Sequence, residues 1–194
     1  MKLLVLGAGG IGGYFGGRMA EAGVDTTFLV RDKRREQIEK DGLVIESPSG
    51  NARIAVKTVL AGELKPGYDL VLFTCKAYDL DSALDAISPA MASGCAVLPM
   101  LNGLAHLDRL DARFGAASVM GGTCQINVGP SPEGKVMHWE PLNRFLFGER
   151  DKSKSARAQA LADALARTAI DWTWSEDILQ DMWEKVTFLA ALAA

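Results

Sequence analysis

Apolar and polar positions change period several times along this chain. Lys2–Leu6 (KLLVL) is a short apolar run, the pattern of a parallel strand buried on both faces. From Ile11 to Ala22 the spacing predicts a helix, with Gly23 placed to stop it. Asp25–Val30 (DTTFLV) predicts a second strand. Strand, helix, strand is the parallel βαβ unit of doubly wound sheets. LVIES and ARIAV flank PSGN and predict a hairpin. Tyr68–Cys75 is the next buried strand, followed by a helix over Asp79–Ile87. Cys95–Leu101 predicts a further strand ending at Asn102-Gly103, and Ala105–Phe114 a further helix. From Ala117 to Gly148 the pattern turns to strands separated by GPSPEG and EPLN, which reads as antiparallel. SKSARAQALADALART predicts a helix and DWTW a short extended piece. Ser175 is then expected to cap a final helix, with Glu176 and Asp177 in its first turn, where carboxylates suit the dipole. The expected division is an α/β dinucleotide-binding unit over 1–172 and the opening helix of a second, all-helical unit over 173–194.

Composition narrows the function classes. Hydrophobic residues make up 48% and charged residues 23%, an ordinary globular mixture. A net charge of −3 leaves no electrostatic footprint for nucleic acid or an anionic membrane. No apolar run is long enough to cross a bilayer, and Leu3–Leu6 is too short for a signal-peptide core. Cys75, Cys95 and Cys124 are odd in number, far apart and without a C-x-x-C, which argues against disulfides and a zinc site and suits a reducing cytoplasm. His106 and His138 lack metal-ligand spacing and read as surface or satisfied histidines.

Gly7-Ala8-Gly9-Gly10-Ile11-Gly12 is G-x-G-x-x-G. It follows a predicted strand and opens a predicted helix, the context that gives this motif meaning. Gly7 permits the tight turn, Gly9 lets the backbone approach a pyrophosphate, and Gly12 lets the helix sit close on the sheet. The helix N-terminus supplies N–H groups and a positive dipole end for phosphates. The fold class is therefore α/β, a Rossmann-type NAD(P)-binding domain. Gly13, Gly16 and Gly17 read as packing glycines. About twenty residues beyond the loop an acid would bond the 2′-hydroxyl of NAD. Here the strand ends FLVRDKRR. Arg31 comes first, and a guanidinium there can grip a 2′-phosphate with two hydrogen bonds, which favours NADP(H). Lys33, Arg34 and Arg35 read as the solvated start of a helix.

With the loop, Arg31, CKAYD, LNG, GGTC and WEK in that order, the chain resembles the ketopantoate reductase family (2-dehydropantoate 2-reductases) from Met1 to Ala194. The resemblance implies that Gly7 to Gly12 hold the cofactor phosphates and Arg31 the 2′-phosphate. It implies cofactor and substrate contacts for Lys76 and Asn102, each after a strand, and a cofactor contact near the nicotinamide for Asn127. Lys185 aligns with the family's catalytic lysine. On the predicted helix it shares a face with Ile178, Met182, Leu189 and Leu192, so it either snorkels to water or loses solvation, which lowers its pKa. A lysine poised in that way donates a proton near neutral pH.

The implied activity is NADPH-dependent reduction of a 2-oxo acid, with ketopantoate, reduced to pantoate on the route to pantothenate and coenzyme A, as the default substrate. The family also implies a helical second domain carrying a further glutamate, so this chain is expected to stop inside the helix that opens that domain. One departure bears on the substrate. Some family members carry asparagines four and eight residues after the lysine, where this chain has Leu189 and Ala193. Neither can hydrogen-bond a substrate hydroxyl, and such partners supply much of a site's discrimination. Two alternatives stay open: another 2-oxo or β-keto substrate, more apolar beside Leu189, and a non-catalytic module that senses NADP(H). Association into a homo-oligomer is open as well.

Overall fold

The computed structural model describes residues 1–91 and 94–192. Ala193, singled out above, lies outside the described residues. Five parallel strands form the first sheet, in the order β5-β2-β1-β6-β7: β1 (Lys2–Leu6), β2 (Asp25–Leu29), β5 (Lys57–Val59), β6 (Leu70–Phe73) and β7 (Ala96–Pro99). The chain moves outward from β1 through β2, then returns to the other side of β1 at β6. That reversal is the topological switch point where open α/β sheets bind ligands, at the carboxyl ends of the strands.

The second sheet is mixed. It holds β3 (Leu43–Glu46), β4 (Ala52–Ile54), β8 (Gly121–Pro130), β9 (Val136–Gly148) and β10 (Asp171–Trp174). The predicted hairpin is present as antiparallel β3 and β4. Its downstream arm is shorter than expected, because the chain leaves after Ile54 and supplies β5 to the first sheet. Antiparallel pairing holds between β8 and β9, but β9 also pairs in parallel with β3 and with β10. EPLN does not end a strand. It lies in a bulge where the register jumps from Val128↔His138 to Ile126↔Asn143, leaving Trp139 to Leu142 exposed.

Helix α1 (Gly10–Glu21) lies between the two sheets. A Cβ on Gly16 would press on Val5 and Phe28 of the parallel sheet, and one on Gly17 on Ile45 and Leu43 of the mixed sheet. Gly13 faces Val136 in the same way. Each glycine costs a helix about 1 kcal/mol relative to alanine. Closely packed layers on both sides offset that cost, and the packing-glycine reading is met. Helix α2 (Asp32–Asp41) follows β2. Helices α3 (Leu80–Ile87) and α4 (Ala105–Phe114) cover the other face of the parallel sheet, where Leu84, Ile87, Leu107 and Leu110 join Leu4, Val71, Phe73 and Val97 in one cluster. Helix α5 (Ala156–Leu165) adds Ala158, Leu161 and Leu165 to the core shared with α1 and Phe145.

The last helix, α6 (Ile178–Leu192), starts later than expected. Asp177 rather than Ser175 takes the capping position, since Asp177 Oδ1 accepts from the Gln180 N–H at 3.4 Å. Ser175 Oγ accepts from the Asp177 N–H at 3.0 Å and so shapes the turn before the helix. Strand β10 runs across the expected division at 172.

Candidate active site: strand ends and the final helix

Strand order sets the site. Along the carboxyl edge the chain exits β2 at Arg31, β1 at Gly7, β6 at Lys76 and β7 at Asn102. At about 4.8 Å per strand this row spans about 14 Å. Four of the expected site features thus fall in one line across the switch point.

The glycine loop is held from several sides. Gly7 has φ +86°, a conformation other residues rarely adopt, and its N–H donates to the Leu29 carbonyl at 2.8 Å. A Cβ on Gly12 would collide with the Gly7 carbonyl and lie 2.5 Å from Thr74 Oγ1, so only glycine lets α1 approach β1 and β6. The first helical bond runs from Gly13 N–H to Gly9 O at 2.9 Å. No side chain caps α1 and no acid sits in its first turn. The preceding N–H groups therefore face the exposed side of Gly9 without a protein anion, as an anion site requires.

Arg31 precedes α2 with extended backbone, and its side chain is 87% exposed. Its nearest anion is Asp79 Oδ1 at 3.8 Å, from the turn after β6. An exposed pair of this length contributes about 0–1 kcal/mol, less than a bidentate phosphate contact. Arg31 is therefore available to a ligand. Lys76 and Asn102 are exposed at their strand ends, and Gly103 after Asn102 has φ +86°.

Lys185 reaches this row from the far end of the chain. The first residues of β8 run beside β7: Met120 N–H donates to Val97 O at 3.0 Å, and a Cβ on Gly122 would sit 2.8 Å from Pro99 O. Cys124 follows two residues after Gly122, so β8 carries it on past the end of β7. Helix α6 lies along β8, with Ile178 buried over Gly121 and Gly148, and Met182 buried one turn on. Burying two such side chains contributes roughly 1.5–3 kcal/mol each, enough to fix the helix in place. The Lys185 ammonium donates to the Cys124 carbonyl at 2.5 Å. Burial holds its pKa below the usual lysine value, because the charged form loses water. Leu189 is half-buried one turn further, while Leu192 is 69% exposed and departs from the expected face.

Asn127 lies on β8 between the Lys185 anchor and the glycine loop, since the Val128 carbonyl and Gly129 abut Gly10. Its amide donates to Glu140 Oε1 at 3.0 Å across the β9 bulge. Two expectations change. Arg34 is no solvated helix residue: Nε and Nη2 donate to the Ala8 carbonyl at 3.1 and 2.8 Å, and Nη1 to the Gly134 carbonyl at 2.6 Å. Those contacts span 26 and 100 residues, so no local pattern could reveal them. His106, in the first turn of α4, is neither exposed nor satisfied. It is buried with Nε2 unpaired among the described residues, and burial pushes its pKa down to about 4. His138 is satisfied, with Ser47 Oγ on Nδ1 at 2.8 Å and the Leu142 carbonyl on Nε2 at 3.1 Å.

Among the described residues no group of three or more His, Cys, Asp or Glu side chains is placed to hold a metal ion. No helix there is long and apolar enough to cross a membrane.

Known proteins share this arrangement. The profile of the ketopantoate reductase PanE/ApbA family matches residues 3–152. The chain is 40% identical over 193 residues to the uncharacterized oxidoreductase YkpB of Bacillus subtilis, covering 100% of this chain and 63% of that protein. It is 27% identical over 207 residues to the 2-dehydropantoate 2-reductase of Mesorhizobium japonicum, covering 96% and 63%. The crystal structure of the 2-dehydropantoate 2-reductase of Geobacter metallireducens matches with a TM-score of 0.88 at 28% identity, over 97% of this chain and 62% of that one. The chain thus spans less than two thirds of the length of these relatives. With its Rossmann-type sheet, glycine loop and following helix, the chain belongs to the ketopantoate reductase PanE/ApbA family of oxidoreductases.

Proposed function

We propose that the protein carrying this chain is an NADPH-dependent reductase of a 2-oxo acid, with ketopantoate as the first substrate to test. The observation that carries the reading is the position of Lys185, a half-buried ammonium with lowered pKa anchored on β8, the strand that runs beside β7. The dinucleotide would lie across that row. Arg31 would take the 2′-phosphate, the N–H groups over Gly7, Ala8, Gly9, Gly10, Ile11 and Gly12 the pyrophosphate, and Lys76, Asn102 and Asn127 the nicotinamide side. When bound, the cofactor supplies the hydride. Lys185 would stabilise the oxygen of the reacting carbonyl and deliver the proton that turns it into a hydroxyl. Asn102 and Lys76 would orient the acid. Residues 1–172 would then be the dinucleotide-binding unit and α6 the start of a second, helical one, in a cytoplasmic enzyme.

Leu189 supports a second reading within the same chemistry. It is half-buried one turn beyond Lys185 and offers no hydrogen bond, which favours a 2-oxo or β-keto substrate with an apolar side chain. The full-length protein should oxidise NADPH in the presence of a 2-oxo acid, and a panel running from ketopantoate to bulkier apolar oxo acids ranks the two readings by kcat/KM. No turnover with any 2-oxo acid, in protein shown to bind NADPH, would leave the non-catalytic sensor.

A further inference from the structure

Arg34 is not one of the residues at the strand ends and still bears on them. Its guanidinium makes a two-pronged contact with the carbonyl of Ala8, inside the glycine loop, and reaches the Gly134 carbonyl with its remaining arm, where Gln37 Oε1 also accepts at 2.7 Å. Ala8 is buried and Gly9 is exposed, with open space where a Cβ would be. A trans peptide is planar, so its C=O and N–H point in opposite directions. Fixing the Ala8 oxygen toward Arg34 therefore turns the Gly9 N–H the other way, to the open side of the loop. Without the guanidinium, the Ala8–Gly9 peptide loses the contact that holds this direction, and glycine at position 9 offers little resistance to rotation.

We infer that Arg34 is a positioning residue for cofactor binding: it aims the Gly9 N–H at the pyrophosphate and adds a fixed positive charge behind the loop. It also ties that loop to the β8–β9 turn, because Gln37 donates to the Glu133 carbonyl of the same turn. Arg34 and Gln37 together thereby join the glycine loop to the turn that follows β8, the strand on which Lys185 is anchored. This inference rests on the dinucleotide reading of the glycine loop. It assigns Arg34 a task separate from that of Arg31. Arg31 chooses between NADP and NAD, and Arg34 strengthens both equally.

The test measures dissociation constants for NADPH, NADH and adenosine 2′-monophosphate in the full-length protein and in Arg34→Met and Arg34→Lys. Adenosine 2′-monophosphate reaches Arg31 but carries no pyrophosphate. Loss of charge-assisted bonds predicts that Arg34→Met weakens NADPH and NADH alike by on the order of tenfold. Adenosine 2′-monophosphate should stay within about twofold, and Arg34→Lys, which keeps one charged donor, should recover part of the loss. Unchanged dinucleotide affinity in Arg34→Met overturns the inference. So does an equal loss for adenosine 2′-monophosphate, which would mark Arg34 as a general structural strut. If the unaltered protein binds neither dinucleotide, the cofactor reading itself fails and the inference falls with it.

Discussion

At one end of the strand row the groups proposed to face the ligand are backbone N–H groups between Gly9 and Gly12; at the other they are the side chains of Asn102 and Lys185. The glycine end is clamped by the Leu29 carbonyl, by Thr74, which donates to Leu6 O at 2.6 Å, and by Arg34. The lysine end is held by the Lys185 bond to the Cys124 carbonyl, by the burial of Ile178 and Met182, and by side-chain contacts of Asp177 and Asp181 at the start of α6. The difference teaches how such a site divides its work. The pyrophosphate is the same in NAD and NADP, so a rigid backbone loop suits it. Substrate selection and proton transfer need side chains, and a helix laid over a strand can exchange those without disturbing the loop.

The largest effect should come from removing the proton donor. Lys185→Ala is expected to lower kcat by about a hundredfold or more while NADPH affinity stays within about twofold. A matching loss of cofactor affinity would mean that the two ends are not separable. Next comes pH. His106 stands in the first turn after Asn102, and its folded pKa of about 4 lies below the unfolded value of 6.5. Between those values the unfolded chain binds a proton that the folded one does not, so stability falls as pH drops from 6.5 toward 4. From pH 7 to pH 5 the unaltered protein should lose about 2 kcal/mol more than His106→Gln, read by urea unfolding. Parallel losses in the two proteins would contradict the buried, neutral histidine.

Cofactor choice is expected to follow Arg31. Arg31→Ala should weaken NADPH by about tenfold and NADH by less than twofold, whereas Arg34→Met lowers both. Equal losses in Arg31→Ala would sink the 2′-phosphate assignment. The smallest effect is the one that names the substrate. Leu189→Asn restores a hydrogen-bonding side chain beside Lys185 and should shift the ratio of kcat/KM toward ketopantoate, and away from apolar oxo acids, by roughly threefold to tenfold. A shift toward the apolar acids would show that Leu189 does not face the substrate.

The glycine loop was legible in the sequence because its physics is local. One turn needs positive φ at Gly7, one close approach needs Gly12, and Arg31 lies two residues past the strand that follows α1. Four of the five parallel strands, β1, β2, β6 and β7, were legible as short runs of strand pattern, whereas β5 was not, because its sequence follows the hairpin without a break. The mixed sheet was less so. Strand β9 pairs with three partners from distant parts of the chain, and its bulge at Trp139 to Leu142 satisfies a register that no periodicity announces. Arg34 was misread because its partners, Ala8 and Gly134, are neighbours only after folding. His106 was misread because a single histidine carries no sign of the helix packing that buries it. Lys185 stood out in the sequence as a charge on an apolar face, aided by a family resemblance, yet its anchor on the Cys124 carbonyl became visible only with β8 in place.

On the proposed reading, these two ends form one binding site with a fixed polarity. A crystal structure of the full-length protein with NADP⁺ measures it directly. The adenosine 2′-phosphate is expected on Arg31, the pyrophosphate on the N–H groups from Gly9 to Gly12, and the nicotinamide beside Asn102 and Lys185. A dinucleotide bound with its nicotinamide at Arg31, or away from the strand row altogether, would show that the two ends do not form one such site.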